Sequence, residues 1–166
     1  MFDAAVLDLA ERVLGACRRE RLMLVAAESC TGGLVAGALT SIPGSSDVVD
    51  RAWVTYSYAA KTELLGVPRA LIERHGAVSE EVARAMAQGA LAGVERRVAI
   101  AVTGVAGPGS DSHAKPAGLV HFAAARGQRM LHRAQRYGDV GRDRVRLQSV
   151  RDALVLLLDL VETRQA

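Results

Sequence analysis

The side chain best placed for covalent chemistry is Ser29, in the run Ala27-Glu28-Ser29-Cys30-Thr31-Gly32-Gly33. Leu24 to Ala27 carries no charge and reads as a short buried strand, and Leu34, Val35, Ala38 and Leu39 recur at helical spacing after the glycines. A strand that turns through small residues into a helix sets backbone N–H groups and the helix's positive end around whatever binds there. Ser29, at the strand end, would stand at the rim of that pocket. A serine nucleophile needs a base. His75 ends a helix, His113 sits in a polar loop, and His121 and His132 belong to a hairpin, so none follows a strand end directed at Ser29. Lys61 lies one helical turn beyond Tyr56, at the start of a helix leaving a strand, where partial burial would loosen its proton.

Each group also has a plainer reading. Ser and Thr before a helix are commonly N-caps, each stabilising it by about 1 kcal/mol. Composition alone puts Lys61 on a solvated helix face and makes Tyr56 a core or rim aromatic. Cys30 is a second candidate nucleophile, though a cysteine among small residues at a strand end is usually packing. Thr103 and Gly104 read as strand-end turn residues, where a glycine lets a ligand approach the backbone.

The elements that must position these groups follow from periodicity. Val6, Leu9, Val13 and Leu14 make residues 3–19 an amphipathic helix; the Leu24–Glu28 strand comes next, then a helix to about Ile42 and a break at Pro43-Gly44-Ser45-Ser46. Val48 to Tyr56 reads as a strand, and Ser57 to Leu65 as a helix stopped by Gly66. Pro68 can open a short helix as its first residue, running to His75-Gly76. Ser79 can cap the next, which runs to about Ala92. Val98 to Val102 is apolar throughout and is expected to be a central strand, ending in the glycine-rich turn Thr103-Gly104-Val105-Ala106-Gly107-Pro108-Gly109. After a polar loop to Pro116, Gly118–Ala125 and Met130–Tyr137 form a hairpin through Arg126-Gly127-Gln128. A helix from Arg142 to about Thr163, with Val145, Val150, Leu154, Leu157 and Leu158 inward, closes the chain. The expected architecture is α/β, a single three-layer α/β/α domain over residues 1–166. Its mixed sheet should be mostly parallel with at least one antiparallel strand. Ligands in such sheets sit beyond the carboxyl ends of the strands, which gathers Ser29, Tyr56 and the Thr103–Gly109 turn on one edge.

The 166 residues suffice for one substantial core. Half are hydrophobic but only 4% aromatic, so Ala, Val and Leu must build it. Twenty-one basic against 18 acidic residues leave a net charge of +3, with the basic excess late, around Arg126 to Arg151; this suits a phosphorylated small ligand as readily as nucleic acid. Cys17 and Cys30 give neither a metal spacing nor a disulfide framework. The start, Met1-Phe2-Asp3, has no signal-peptide pattern, and the longest apolar run, Ala153 to Leu158, is far too short to span a bilayer. A soluble, cytoplasmic protein without cofactor or metal is expected.

Several motifs, in order from about Val6 to about Leu158, resemble the CinA C-terminal domain family. They are Ala27–Gly33, Val54-Thr55-Tyr56-Ser57 with Lys61–Val67, Gly76-Ala77-Val78-Ser79, and Thr103–Pro108 followed by Lys115-Pro116 and Gly118. The resemblance implies a nicotinamide mononucleotide deamidase in stand-alone form, releasing nicotinate mononucleotide and ammonia. It also implies a three-layer fold and self-association, with a nucleotide as the small-molecule substrate and neither a membrane nor nucleic acid as partner. The family's catalytic serine, tyrosine and lysine fall on Ser29, Tyr56 and Lys61, and a basic residue before the last helix falls on Arg142. In the implied mechanism Lys61, neutral or sharing a proton with Tyr56, deprotonates Ser29 as it attacks the carboxamide. The amides of Thr31, Gly32 and Gly33 would receive the oxyanion, and Arg142 with Thr103, Gly104, Ala106 and Gly107 would hold the substrate, the Gly104–Gly107 turn taking its phosphate. The chain departs from the family at Tyr58, where Asn is frequent, and in Gly138-Asp139-Val140-Gly141-Arg142, a broken G-D-R pattern that makes Arg144 an alternative to Arg142. A non-catalytic nucleotide-binding module and a competence- or DNA-associated interaction protein are the competing readings.

Overall fold

The computed structural model describes residues 2–93, 96–110 and 115–163. Helix α1 (Ala4–Glu20) starts on Asp3, whose carboxylate accepts from the Val6 amide at 2.8 Å. It leads into β1 (Met23–Glu28), α2 (Leu34–Thr40), one 3₁₀ turn at Ser45–Asp47, and β2 (Val49–Val54). Then come α3 (Tyr58–Leu65), α4 (Arg69–His75), α5 (Glu80–Leu91), β3 (Arg97–Gly104), β4 (Leu119–Arg126), β5 (Arg129–Arg136) and α6 (Arg142–Glu162). Pro68 is the N-cap of α4 rather than its first helical residue, because its ψ of 128° is extended. Thr103 and Gly104, expected in a turn, still pair with His121 and Val120 and so belong to β3. His113, expected in a polar loop, lies outside the described residues.

The five strands lie in the order β2-β1-β3-β4-β5. The pairings of β1 with β2 and β3 are parallel, and those of β4 with β3 and β5 antiparallel. Only β4 runs against the others, so the sheet is mixed as expected, and the apolar β3 is its centre.

Side-chain alternation along the strands splits the core in two. Leu24, Val98, Ile100, Val102, Val120 and Phe122 face α1, α2 and α6. The opposite face carries Val25 and the alanines Ala27, Ala99, Ala101, Ala123 and Ala125, against α5 and the ends of α3 and α4. Alanine on that face lets α5 lie close to the sheet. The same layer is tight laterally: a Cβ on Gly89 of α5 would fall 1.8 Å from the Leu65 carbonyl oxygen of α3.

Helix α6 buries ten residues, whereas α3 buries only Lys61 and Leu65. At roughly 1.5–3 kcal/mol per large apolar side chain, hydrophobic burial anchors α6 far more firmly than α3. Local chemistry fixes α3 instead. The Ser57 hydroxyl accepts from the Ala60 amide at 3.0 Å, and Gly66 ends the helix at φ +64°. No helix among the described residues is long and apolar enough to cross a membrane.

Candidate active site

Ser29 follows β1 directly and stays tied to the sheet, its amide donating to the Val102 carbonyl at 2.9 Å. Its position is further fixed by a group whose role the sequence reading did not identify, the fully buried carboxylate of Glu28. One Glu28 oxygen accepts from the Gly33 and Val35 amides at 3.0 and 3.1 Å, and the other from Ala36 at 2.9 Å. Three charge-assisted bonds at the positive end of α2 compensate the burial of this carboxylate. The signal was an acid at a strand end five residues before a glycine that opens a helix.

This arrangement corrects the expected oxyanion donors. The Gly33 amide is held by Glu28 and the Gly32 amide by the Ser29 carbonyl at 3.0 Å. Thr31, Gly32 and Gly33 also lie outside the cleft that Ser29 opens into. The positive end of α2 therefore meets the protein's own carboxylate. The amides of Cys30 and Thr31 donate to no other residue among the described ones. Behind the turn, Arg146 of α6 donates to the Thr31 carbonyl at 3.1 Å, and a Cβ on Gly32 would come within 3.2 Å of its guanidinium.

Lys61 is 1% exposed, so the solvated-face reading does not hold. Its Nζ lies 3.0 Å from Ser29 Oγ, 2.6 Å from the Thr55 carbonyl and 3.5 Å from the Tyr56 carbonyl. Desolvation lowers its pKa from 10.5 to about 8. The neutral amine carries two N–H groups and one lone pair. Two carbonyls can take the N–H groups, which leaves the lone pair facing the serine hydroxyl. Cys30 also lines the cleft, but burial pushes its thiol up to about 12, so it is not a thiolate near neutrality.

The cleft, about 330 Å³, is lined by Ser29, Lys61, Tyr56, Tyr58, Arg142 and the 103–110 segment, together with Ala77 and Val78. Thr103, Gly104, Ala106 and Gly107 are thus gathered as expected from the strand-end rule. The Thr103 hydroxyl donates to the Ala77 carbonyl at 2.8 Å and fixes that wall. Gly104 has a different reason from the expected ligand approach: a Cβ there would meet Val120 Cγ2 at 2.7 Å and the Leu119 carbonyl at 2.8 Å. It is a glycine because β4 is close.

Tyr56 points elsewhere than the proton-sharing role required. It is 58% exposed, and its phenol oxygen accepts from Arg142 Nη2 at 2.7 Å, while only its backbone carbonyl faces Lys61. Arg142, the first residue of α6, also donates from Nη1 to the Gly107 carbonyl at 2.8 Å. It bridges the two rims of the cleft with two of its five N–H groups. Arg144 does not line the cleft. Among the described residues no cluster of three or more His, Cys, Asp or Glu side chains is arranged to hold a metal.

Residues 6–161 match the family model of the CinA C-terminal domain. The "CinA-like protein" of Synechococcus sp. (strain RCC307) is 52% identical over 151 residues, 90% of this chain but 36% of that protein. The chain thus spans about a third of the length of such longer relatives. The "Nicotinamide-nucleotide amidohydrolase PncC" of Pseudomonas putida is 46% identical over 93% of this chain and 96% of its own length. Among solved structures, the competence/damage inducible protein CihA from Agrobacterium tumefaciens superposes with a TM-score of 0.92 at 50% identity, covering 96% of this chain and 98% of that one.

Proposed function

The chain belongs to the CinA C-terminal domain family, and from that premise we propose that it is an amidohydrolase acting on nicotinamide mononucleotide. The observation that carries the chemistry is the buried contact of 3.0 Å between Lys61 Nζ and Ser29 Oγ. The substrate assignment draws on the name of the similarly sized Pseudomonas putida relative.

Neutral Lys61 accepts the Ser29 proton as Oγ attacks the carboxamide carbon. The tetrahedral oxyanion sits against the amide of Cys30, a cleft-lining donor that no other described residue occupies. Loss of one such donor typically costs ~10²–10³ in rate. Lys61 then returns the proton to the departing nitrogen, and ammonia leaves an acyl ester on Ser29. Water, deprotonated by the same amine, hydrolyses that ester to nicotinate mononucleotide and restores the hydroxyl. Arg142 has three further N–H groups with which to meet the substrate phosphate. Tyr56 acts through Arg142, holding the guanidinium at the cleft rim. Self-association, a cytoplasmic site of action and a cofactor-free reaction belong to the same proposal.

The test is to incubate the purified protein with nicotinamide mononucleotide and measure ammonia and nicotinate mononucleotide together. Equimolar release of both is expected. Binding without release would leave a nucleotide-binding module and overturn the proposal.

A further inference from the structure

The edge of the sheet opposite the catalytic cleft gathers four arginines from three strand ends. Arg21 precedes β1, Arg96 precedes β3 and Arg97 opens it, and Arg126 closes β4. With Glu20 and Gly127 they line a hollow of about 410 Å³. Arg126 is paired with Glu20 and Arg97 with Asp50, so four guanidiniums against two carboxylates leave this hollow with an excess of two positive charges. A second hollow, of about 400 Å³, adjoins it and shares Arg96, Arg97 and Gly127; its other walls include Leu91, Gln88 and Gln128.

Two further observations separate this cluster from ordinary surface charge. Arg97 is only 7% exposed, pairs with Asp50, and keeps a buried Nε with no partner among the described residues. A buried guanidinium is costly to leave partly unpaired. Arg21 and Arg96 are the only non-glycine residues with positive φ among those described, at +53° and +59°. Glycine is the ordinary occupant of that region, especially after a helix, where Arg21 stands. The chain has arginine at both places, and both side chains are exposed and without an ion pair among the described residues. The C-termini of α1 and α5 favour nearby positive charge, but a helix end does not call for a strained backbone to present it.

We infer that this hollow binds a phosphate-bearing small ligand of the pyrophosphate or nucleoside-diphosphate class, at a site separate from the catalytic cleft. The arginines match paired phosphates in charge and in their bidentate N–H geometry. The adjoining hollow, with an apolar wall and two amides, suits the organic part of a nucleotide. The concave form, with acids close by at Glu20 and Asp50, favours a compact anion over an extended nucleic-acid backbone.

The double variant R21G/R96G is the test, because glycine relieves both positive-φ positions while removing two charges, so the fold is retained. Titration calorimetry with pyrophosphate and with ADP, at fixed ionic strength, should give saturable binding to the unaltered protein. R21G/R96G should bind about 10-fold or more weakly, with an unfolding temperature no lower than before. Absent saturable binding, or equal affinity in R21G/R96G, overturns the inference. A fall in oligomer mass in R21G/R96G, or arginine-dependent binding of duplex DNA that pyrophosphate does not displace, would assign the surface to another partner and equally overturn it.

Discussion

Replacing Lys61 by arginine keeps a positive charge beside Ser29 but supplies a group that does not deprotonate in proteins. In the unaltered protein Lys61 titrates near 8. At pH 7.5 roughly a quarter of the molecules hold the free amine, against about 0.1% for an unburied lysine, so burial enriches the competent base by a factor on the order of 200. kcat/KM for ammonia release should therefore rise about tenfold from pH 6 to 7 and level off above pH 8. Lys61→Arg should lose ~10²–10⁴ of that rate, as general-base removal does, and show no inflection near 8. The same desolvation acts on stability. The folded pKa lies below the unfolded one, so between pH 8 and about 10.4 the unfolded chain binds more protons, and stability increases with pH across that window. Denaturant unfolding of Lys61→Met should lack that rise. Lys61→Arg active within a few-fold of the unaltered enzyme, or a flat profile from pH 6 to 9, would refute the reasoning.

Glu28→Gln keeps the shape of the cap on α2 but removes its charge from three amides. It should cost about 1–3 kcal/mol in urea unfolding and depress kcat more than KM, since the Ser29 turn shifts while the cleft rim stays. Arg142→Ala should raise KM for nicotinamide mononucleotide about 10-fold or more while leaving KM for the phosphate-free nucleoside nearly unchanged, measured by ammonia release. Gly89→Ala should be strongly destabilising, by about 2 kcal/mol or more, because its Cβ would overlap the Leu65 carbonyl. Thermal unfolding would show it.

Period and turn chemistry were enough to read the layers, the central β3 and the convergence of three strand ends, because each depends on local apolar spacing and on a general rule of α/β sheets. The departures came from tertiary contacts that spacing does not encode. Glu28 looked like the end of an apolar strand; its partners are amides five to eight residues on, brought round by the turn, and they include the Gly33 amide, one of the three donors expected for the oxyanion. Tyr56 and Lys61 are five residues apart, yet the phenol turns out to Arg142, 86 residues away, while the lysine turns in to Ser29. Burial of Lys61 could not be read from composition, which favours a solvated lysine on any helix. Gly104 was legible as special, but its reason lies across the sheet in β4 rather than in a ligand.

The most direct test of a Ser29 acyl-enzyme uses hydroxylamine, which competes with water for the ester. The unaltered protein given nicotinamide mononucleotide and hydroxylamine should form the hydroxamate alongside the acid. Cys30→Ser should do the same, and Ser29→Ala should form neither product nor ammonia. Ammonia release that persists in Ser29→Ala would contradict the account at its centre.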